Sequence, residues 1–263
     1  MHLSQLFHYP IKSCSGNALE TAKATERGLA FDREWMLTDE NGELMTGRKW
    51  PRMVQIRVTP TATGIQVNAP DMEPLEIHQD RYQMARPTSV WKYDFDAYWG
   101  DSEADDWFSF CLGADARLLY IGEQSNRRLR IDPSIRFSFA DGYPYLLIGE
   151  GSLQDLNSRL SQPVSIRQFR PNLVIDGCEA FAEDQWQRIR IGEVEFELIK
   201  PCVRCSFTTV DPDQGILSAD HEPLKTLNRY RMTPDGVTFG QNLVARNTGT
   251  LSLGDPVEIL AYR

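Results

Sequence analysis

Short runs of alternating apolar and polar residues recur along this chain and predict strands far more often than helices. In "EWMLTDENGELMTGR" apolar runs flank Asn41-Gly42, a dipeptide that favours the tight turn of a hairpin. "RMVQIRVTPTATGIQVNAP" repeats the pattern about Thr63-Gly64. Further strands are predicted in "NLVIDG", "WQRIRIGEVEFELIK" and "CSFTTVD", and the closing "GTLSLGDPVEILAYR" reads as a strand pair about a Gly-Asp turn. Two stretches break this rhythm. An acidic-capped amphipathic helix is predicted from about Ala104 to Leu112, stopped by Gly113. Another is predicted in "EGSLQDLNSRLSQP", with Ser152 as cap, Leu153, Leu156 and Leu160 as the apolar stripe, and Pro163 beyond its end.

Many short strands with two or three helices predict a β-rich α+β or barrel-like architecture rather than a doubly wound parallel sheet. A division is expected between residues 85 and 125, giving units of 1–115 and 116–263.

Composition adds exclusions. With 41% apolar and 25% charged residues the chain has the make-up of a soluble globular protein, and no apolar run is long enough for a membrane span. "MHLSQLFHYPIKS" lacks the basic and apolar regions of a secretory signal, so a cytoplasmic location is expected. A net charge of −9 argues against a broad nucleic-acid-binding surface but leaves room for a local basic pocket. Five cysteines in such a chain are expected to be reduced thiols.

The candidate chemistry centres on "ELIKPCVRCSFTTVDPDQG", where Cys202 and Cys205 are two residues apart. A structural zinc site needs four ligands. Cys14, Cys111 and Cys178 are isolated, and the four histidines show no ligand spacing. A redox dithiol wants its first cysteine at a helix N-terminus, whereas strand patterns flank this pair. Both cysteines as small buried apolar residues is the plain alternative. Against it stand Lys200 and Arg204, because a nearby cation favours thiolate, the form that ligates soft metals. "DPDQG" resembles a truncated calcium loop without its closing Glu and reads as a turn. "DAYWGDSEADDW" offers acids without a matching His.

Anion ligands are available elsewhere. "YPIKSCSG" combines Lys12, Ser13 and Ser15 with Gly16 after a short strand, a loop able to hold phosphate, although the Walker spacing is absent. "FDREW" sets Arg33 among apolar residues, and "FRPNLVI" does so for Arg170 and Asn172. Preceding a proline, Arg170 is expected in extended geometry.

In this order, "YPIKSCSG", "FDREWMLTDENGELMTGRKWPRM", "DLNSRL", "FRPNLVIDG", "KPCVRCSFTTVDPDQG" and "GDPVEIL" resemble MOSC-domain proteins with an N-terminal MOSC β-barrel domain. The similar branch is that of the mitochondrial amidoxime-reducing component and its bacterial relatives, and the resemblance runs from about Leu3 to Leu260. It implies an N-terminal β-barrel-like domain followed by a MOSC β-barrel domain that binds a pyranopterin molybdenum cofactor. Cys205 matches the metal ligand of the family's C-x-R-C signature, with Cys202 a neighbour. Lys12, Ser13, Arg33, Arg170, Asn172, Val203 (through its backbone) and Arg204 match cofactor contacts. The implied activity is reduction of N-hydroxylated compounds such as amidoximes, hydroxylamines and N-hydroxylated bases. Their oxygen is removed at molybdenum and leaves as water after two electrons and two protons are added. Pyridoxal phosphate binding is a further label attached to the family. Some bacterial relatives carry a C-terminal ferredoxin domain, and membrane-bound relatives an N-terminal anchor. Neither pattern is present here, so a separate flavoprotein or iron–sulfur protein is the expected electron donor. A different class of function, a molybdenum-cofactor or sulfur carrier using Cys205 without turnover, stays open, as does a catalytically silent homologue.

Overall fold

The computed structural model describes residues 1–123 and 125–263. The elements that carry the argument are, in chain order, β1 (His2–His8), β2 (Trp35–Thr38), β3 (Met84–Val90), β4 (Tyr93–Trp99), α1 (Ser102–Leu112), β5 (Arg117–Tyr120), β6 (Tyr145–Gly149), α2 (Glu150–Ser158), β7 (Leu173–Asp176), β8 (Trp186–Ile191), β9 (Val194–Val203), α3 (Leu224–Tyr230), β10 (Gly236–Ala245) and β11 (Val257–Tyr262). Shorter strands and 3₁₀ turns fill the intervals. The chain is β-rich, with three α-helices among the described residues.

The largest sheet runs in the order β1-β7-β6-β10-β9-β8-β11, extended past β1 by Asn17–Ala18. Its path has two distinct ends rather than a closed ring. Along this path, β6 and β7 form the one parallel pair. A parallel pair needs a crossover connection, which α2 and the 3₁₀ turn Ile166–Phe169 supply. Apolar residues from β6 to β10 meet in one core, where Tyr145 packs edge-on against Phe196 with ring centres 5.1 Å apart. A second sheet, β2-β5-β4-β3, is antiparallel throughout. The N-terminal and C-terminal parts interleave: β1 pairs with β7, and Gly249–Ser252 pairs with Thr21–Thr25.

The hydrophobic pattern and the structure agree on α1 and on the hairpin about Thr63-Gly64, which joins Arg57–Pro60 to Gly64–Asn68. At the head of α1, the Asp101 carboxylate accepts from the backbone N–H groups of Glu103 and Ala104, and Gly113 ends the helix in the left-handed conformation. The turn at Asn41-Gly42 also forms, but its outgoing arm makes only a single bridge, Thr38 to Leu44.

Three expectations fail for physical reasons. Ser152 does not cap α2. β6 runs straight into the helix with Gly149 at the cap position, and the buried Glu183 carboxylate accepts from both the Gly149 N–H (3.1 Å) and Ser152 Oγ (2.7 Å). The stretch after Cys205 is a 3₁₀ turn, Ser206–Thr209, not a strand. The Thr208 and Thr209 hydroxyls donate to the carbonyls of Cys205 and Ser206 at 2.9 and 2.8 Å, a local alternative to a sheet ladder. The two closing strands form, yet each pairs elsewhere: Gly249–Ser252 with Thr21–Thr25, and β11 with β8.

Asp101 also accepts from Arg81 Nη1 at 3.2 Å, so one carboxylate ties α1 to the chain before β3. Asp101→Ala is expected to lower stability by about 1 kcal/mol, the usual worth of such a cap, measured by urea denaturation.

Candidate functional site

A cleft enclosing about 920 Å³, its solvent-filled mouth included, lies where the turn after β1, the turn before β2, the start of β7 and the end of β9 converge. Its lining includes all eight residues that the resemblance matches to the metal ligand and the cofactor contacts: Lys12, Ser13, Arg33, Arg170, Asn172, Val203, Arg204 and Cys205. They are drawn from positions as far apart as 12 and 205, so their convergence is a product of the fold.

The charge of the cleft opposes that of the molecule. Lys12, Arg33, Arg48, Arg170 and Arg204 line it against a single carboxylate, Asp141, in a chain of net charge −9. Arg33 donates through Nη1 to Asp32 Oδ2 (2.5 Å) and to Asn172 Oδ1 (3.2 Å), and through Nη2 to the Arg170 carbonyl (3.2 Å). Burial works against its charge, but Asp32, together with Tyr9 and Asp141, outweighs that and raises its pKa above the ordinary arginine value. Arg170 has no carboxylate of its own. Its Nη1 donates to the Cys14 carbonyl at 2.7 Å, and its Nη2 is buried without a partner among the described residues. Burial, aided by the Arg33 charge, brings its pKa down to about 10. Both guanidiniums lie over the Tyr9 ring, 4.4 and 4.1 Å from its centre.

Lys12 is buried, donating to the Phe139 carbonyl (2.9 Å) and to Asp141 Oδ1 (2.6 Å). Burial depresses the Lys12 pKa against the pull of Asp141. The atoms packed around its bonded oxygen act to raise the Asp141 carboxyl, yet Lys12 holds it below the ordinary carboxylate range. The Asp141 side chain is 70% exposed, so solvent screens the pair and it adds little to stability.

Other sequence expectations resolve at this level of detail. Arg170 is not extended before its proline: it has φ 56° and ψ 47° and ends the 3₁₀ turn Ile166–Phe169. The reversal brings its guanidinium over Tyr9 and onto Cys14, contacts that offset the unfavourable conformation. The loop "YPIKSCSG" divides, with Lys12 and Ser13 lining the cleft and Ser15 and Gly16 lining a smaller neighbouring pocket. Gly16 is required by packing, since a Cβ there would fall 2.3 Å from the Tyr9 ring. Asn172 lines the cleft with its hydrogen bonds already made: Nδ2 donates to the Phe7 carbonyl (3.1 Å), while Oδ1 accepts from Leu146 N (3.2 Å) and Arg33.

The two cysteines differ. Cys202 lies in β9, and its Sγ accepts from Arg204 Nη1 at 2.9 Å. The second arm of that guanidinium donates to the Phe169 carbonyl at 2.5 Å, and Nε is buried without a partner among the described residues. Cys205 follows the strand and is exposed to the cleft, with its carbonyl anchored by the Thr208 N–H and hydroxyl. Both are free thiols. No group of three or more His, Cys, Asp or Glu suited to a metal ion is present among the described residues.

Arg48, Trp91, Asp141, Tyr143 and Phe207 also line the cleft and were not singled out from the sequence. Tyr9 and Asp32 lie within the quoted motifs "YPIKSCSG" and "FDREW", so a search for aromatic and acidic neighbours of the arginines would have found them. Trp91 and Asp141 carry no local signal and meet the others only through tertiary structure.

The structure makes Asn172 a staple between β1, β6 and the Arg33 turn. Asn172→Ala is expected to destabilise the protein by about 2–3 kcal/mol by orphaning buried backbone groups, measured by denaturant titration. A stability loss below about 0.5 kcal/mol would contradict this account.

Comparison with known proteins places this geometry in context. Residues 1–115 match the MOSC N-terminal beta barrel domain, and residues 134–258 match the MOSC domain. Mitochondrial amidoxime-reducing component 1 of Danio rerio is 35% identical over 277 residues, covering 99% of this chain and 85% of the relative. Mitochondrial amidoxime reducing component 2 of Bos taurus is 34% identical over 276 residues, covering 97% and 82%. Mitochondrial amidoxime-reducing component 1 of Homo sapiens is 33% identical over 288 residues, covering 98% and 82%. The chain therefore belongs to the family of MOSC-domain proteins with an N-terminal MOSC β-barrel domain that includes the mitochondrial amidoxime-reducing components.

Proposed function

We propose that this chain reduces N-hydroxylated compounds, amidoximes and hydroxylamines among them, with a pyranopterin molybdenum cofactor seated in the cleft. The observation that carries the proposal is one cleft where buried and half-buried cations outnumber carboxylates and an exposed cysteine opens onto it. The names of the relatives, amidoxime-reducing components, supply the substrate class. A cofactor with an anionic phosphate and a soft metal fits the residues present. Arg170 Nη2 and Arg204 Nε are buried donors lacking acceptors, Lys12 is a buried ammonium held by one exposed carboxylate, and a thiolate is a ligand type for soft metals.

When bound, the cofactor supplies two-electron oxygen-atom chemistry at molybdenum. The chain's own residues do the rest. Lys12, Ser13, Arg33 and Arg170 hold the anionic groups through charge-assisted hydrogen bonds. Asn172 orients Arg33, and Arg204 donates to Cys202 Sγ and the Phe169 carbonyl at the end of β9. The Val203 backbone would contact the cofactor, and Cys205 would complete the sulfur ligation of its metal. A separate flavoprotein or iron–sulfur protein delivers electrons. No helix among the described residues is long and apolar enough to cross a membrane. A pyridoxal phosphate reading asks for an accessible, unpaired lysine amine, and the lysine lining this cleft is bound to Asp141 and the Phe139 carbonyl.

The protein purified from a molybdenum-cofactor-competent host is expected to contain molybdenum by elemental analysis. It is expected to reduce benzamidoxime with chemically reduced methyl viologen. Cys205→Ser abolishes turnover, whereas Cys202→Ser stays within about tenfold of the parent, as for a group outside the ligand set. Equal loss in both folded variants would refute the assignment of one ligand. Bound molybdenum without turnover would refute the reductase and favour a carrier.

A further inference from the structure

Trp91 sits at the tip of the hairpin formed by β3 and β4, in the two-residue turn between the paired residues Val90 and Tyr93. Its φ of 59° is a conformation that glycine or asparagine normally supplies in such turns and that costs a bulky residue stability. The fold alone would favour glycine there. The side chain shows what the strain is spent on. Trp91 Nε1 donates to Asp141 Oδ1 at 2.7 Å, the same oxygen that accepts from Lys12 at 2.6 Å. Arg48 lies over the indole, 4.4 Å from its centre. Two polar contacts thus fix a ring that is still 47% exposed and lines the cleft. Tyr143 and Phe207 line the same cleft. Four non-glycine residues of that lining, Ser13, Arg33, Trp91 and Arg170, have positive φ, and strain of this kind collects where side chains must be aimed for function.

We infer that Trp91 is a specificity-determining residue: its indole is the wall against which the flat unsaturated part of the N-hydroxylated substrate packs. The inference rests on the reductase reading and adds a substrate preference to it. Aryl and heteroaryl N-hydroxy compounds are favoured over small aliphatic ones because a planar ring gains dispersion and quadrupole contact with indole that an alkyl group does not. Asp141 and Arg48 act as positioning residues by holding the ring.

The test compares benzamidoxime with acetamidoxime on the full-length molybdenum-loaded protein, using reduced methyl viologen as electron source, alongside melting temperatures. Trp91→Gly is expected to reduce the benzamidoxime-to-acetamidoxime ratio of kcat/KM about tenfold, chiefly through KM for benzamidoxime. Its melting temperature is expected to be equal or higher, because glycine relieves the strained turn. Trp91→Phe, which keeps a ring, retains most of the ratio. Equal losses on both substrates, no loss on either, a Trp91→Phe variant as poor as Trp91→Gly, or a lower melting temperature for Trp91→Gly would each overturn the inference. Absence of turnover of both amidoximes by the parent protein with bound molybdenum would instead refute the reductase reading, and this inference with it.

Discussion

Arg33 and Arg170 share the Tyr9 ring, so two like charges occupy one small, largely desolvated volume. Asp32 neutralises Arg33 at 2.5 Å, and the same carboxylate accepts from the Tyr9 N–H at 2.8 Å. Arg170 receives only a backbone carbonyl. A folded chain holds such a cation because the surrounding network leaves it no other position. Asn172 fixes Arg33, the Arg170 carbonyl accepts from Arg33, and the Tyr9 hydroxyl donates to the Pro171 carbonyl at 3.0 Å. Removing a charged group's partner in such a place is costly, and the protein carries this incomplete pairing in its resting architecture. On the proposed reading, this incomplete pairing is what an anionic cofactor would complete.

The backbone carries the same signature. Ser13, Arg33 and Arg170 stand in the left-handed region at the ends of three different segments, and each presents its residue to the cleft. Unstrained alternatives exist for every one of these residue types, so their absence has to be enforced from outside the turns. Pairing of β1 with β7, and of β7 with β6, supplies that enforcement: the sheet sets where Tyr9 and Asn172 lie, and the turns adapt. Rigid strands that deliver strained turns to one point are a general way of placing functional groups accurately.

Much of this was legible in the sequence, but unevenly. Strands with clean alternation, such as "RIRIGEVEFEL", formed where the pattern put them because both faces of the sheet sort apolar from polar. The residues matched to the family, from Lys12 to Cys205, met in one cleft although no local feature brings them together. What could not be read was pairing and satisfaction at long range. Ser152 has every local mark of a cap, yet Glu183 reaches it from thirty-one positions away. The threonines after Cys205 carry strand propensity, but their hydroxyls close a 3₁₀ turn on the preceding carbonyls. Asp141 and Trp91 belong to segments with unremarkable patterns, and only the tertiary fold sets them beside Lys12.

The C-x-x-C spacing says less about its two cysteines than their surroundings do. Spacing alone treats its two sulfurs as equivalent. The backbone does not: β9 continues through Cys202 and ends at Val203, so the first thiol stays on the strand and meets Arg204, while the second falls beyond the ladder. There the carbonyl of Cys205 is held by Thr208, which fixes the backbone and leaves the thiol directed by its own rotamer toward open space. One sulfur accepts from a guanidinium and the other is exposed. The different surroundings of two identical side chains three positions apart therefore follow from where a strand stops. The residues that hold them apart are Arg204, between the two cysteines, and Thr208, beyond the second.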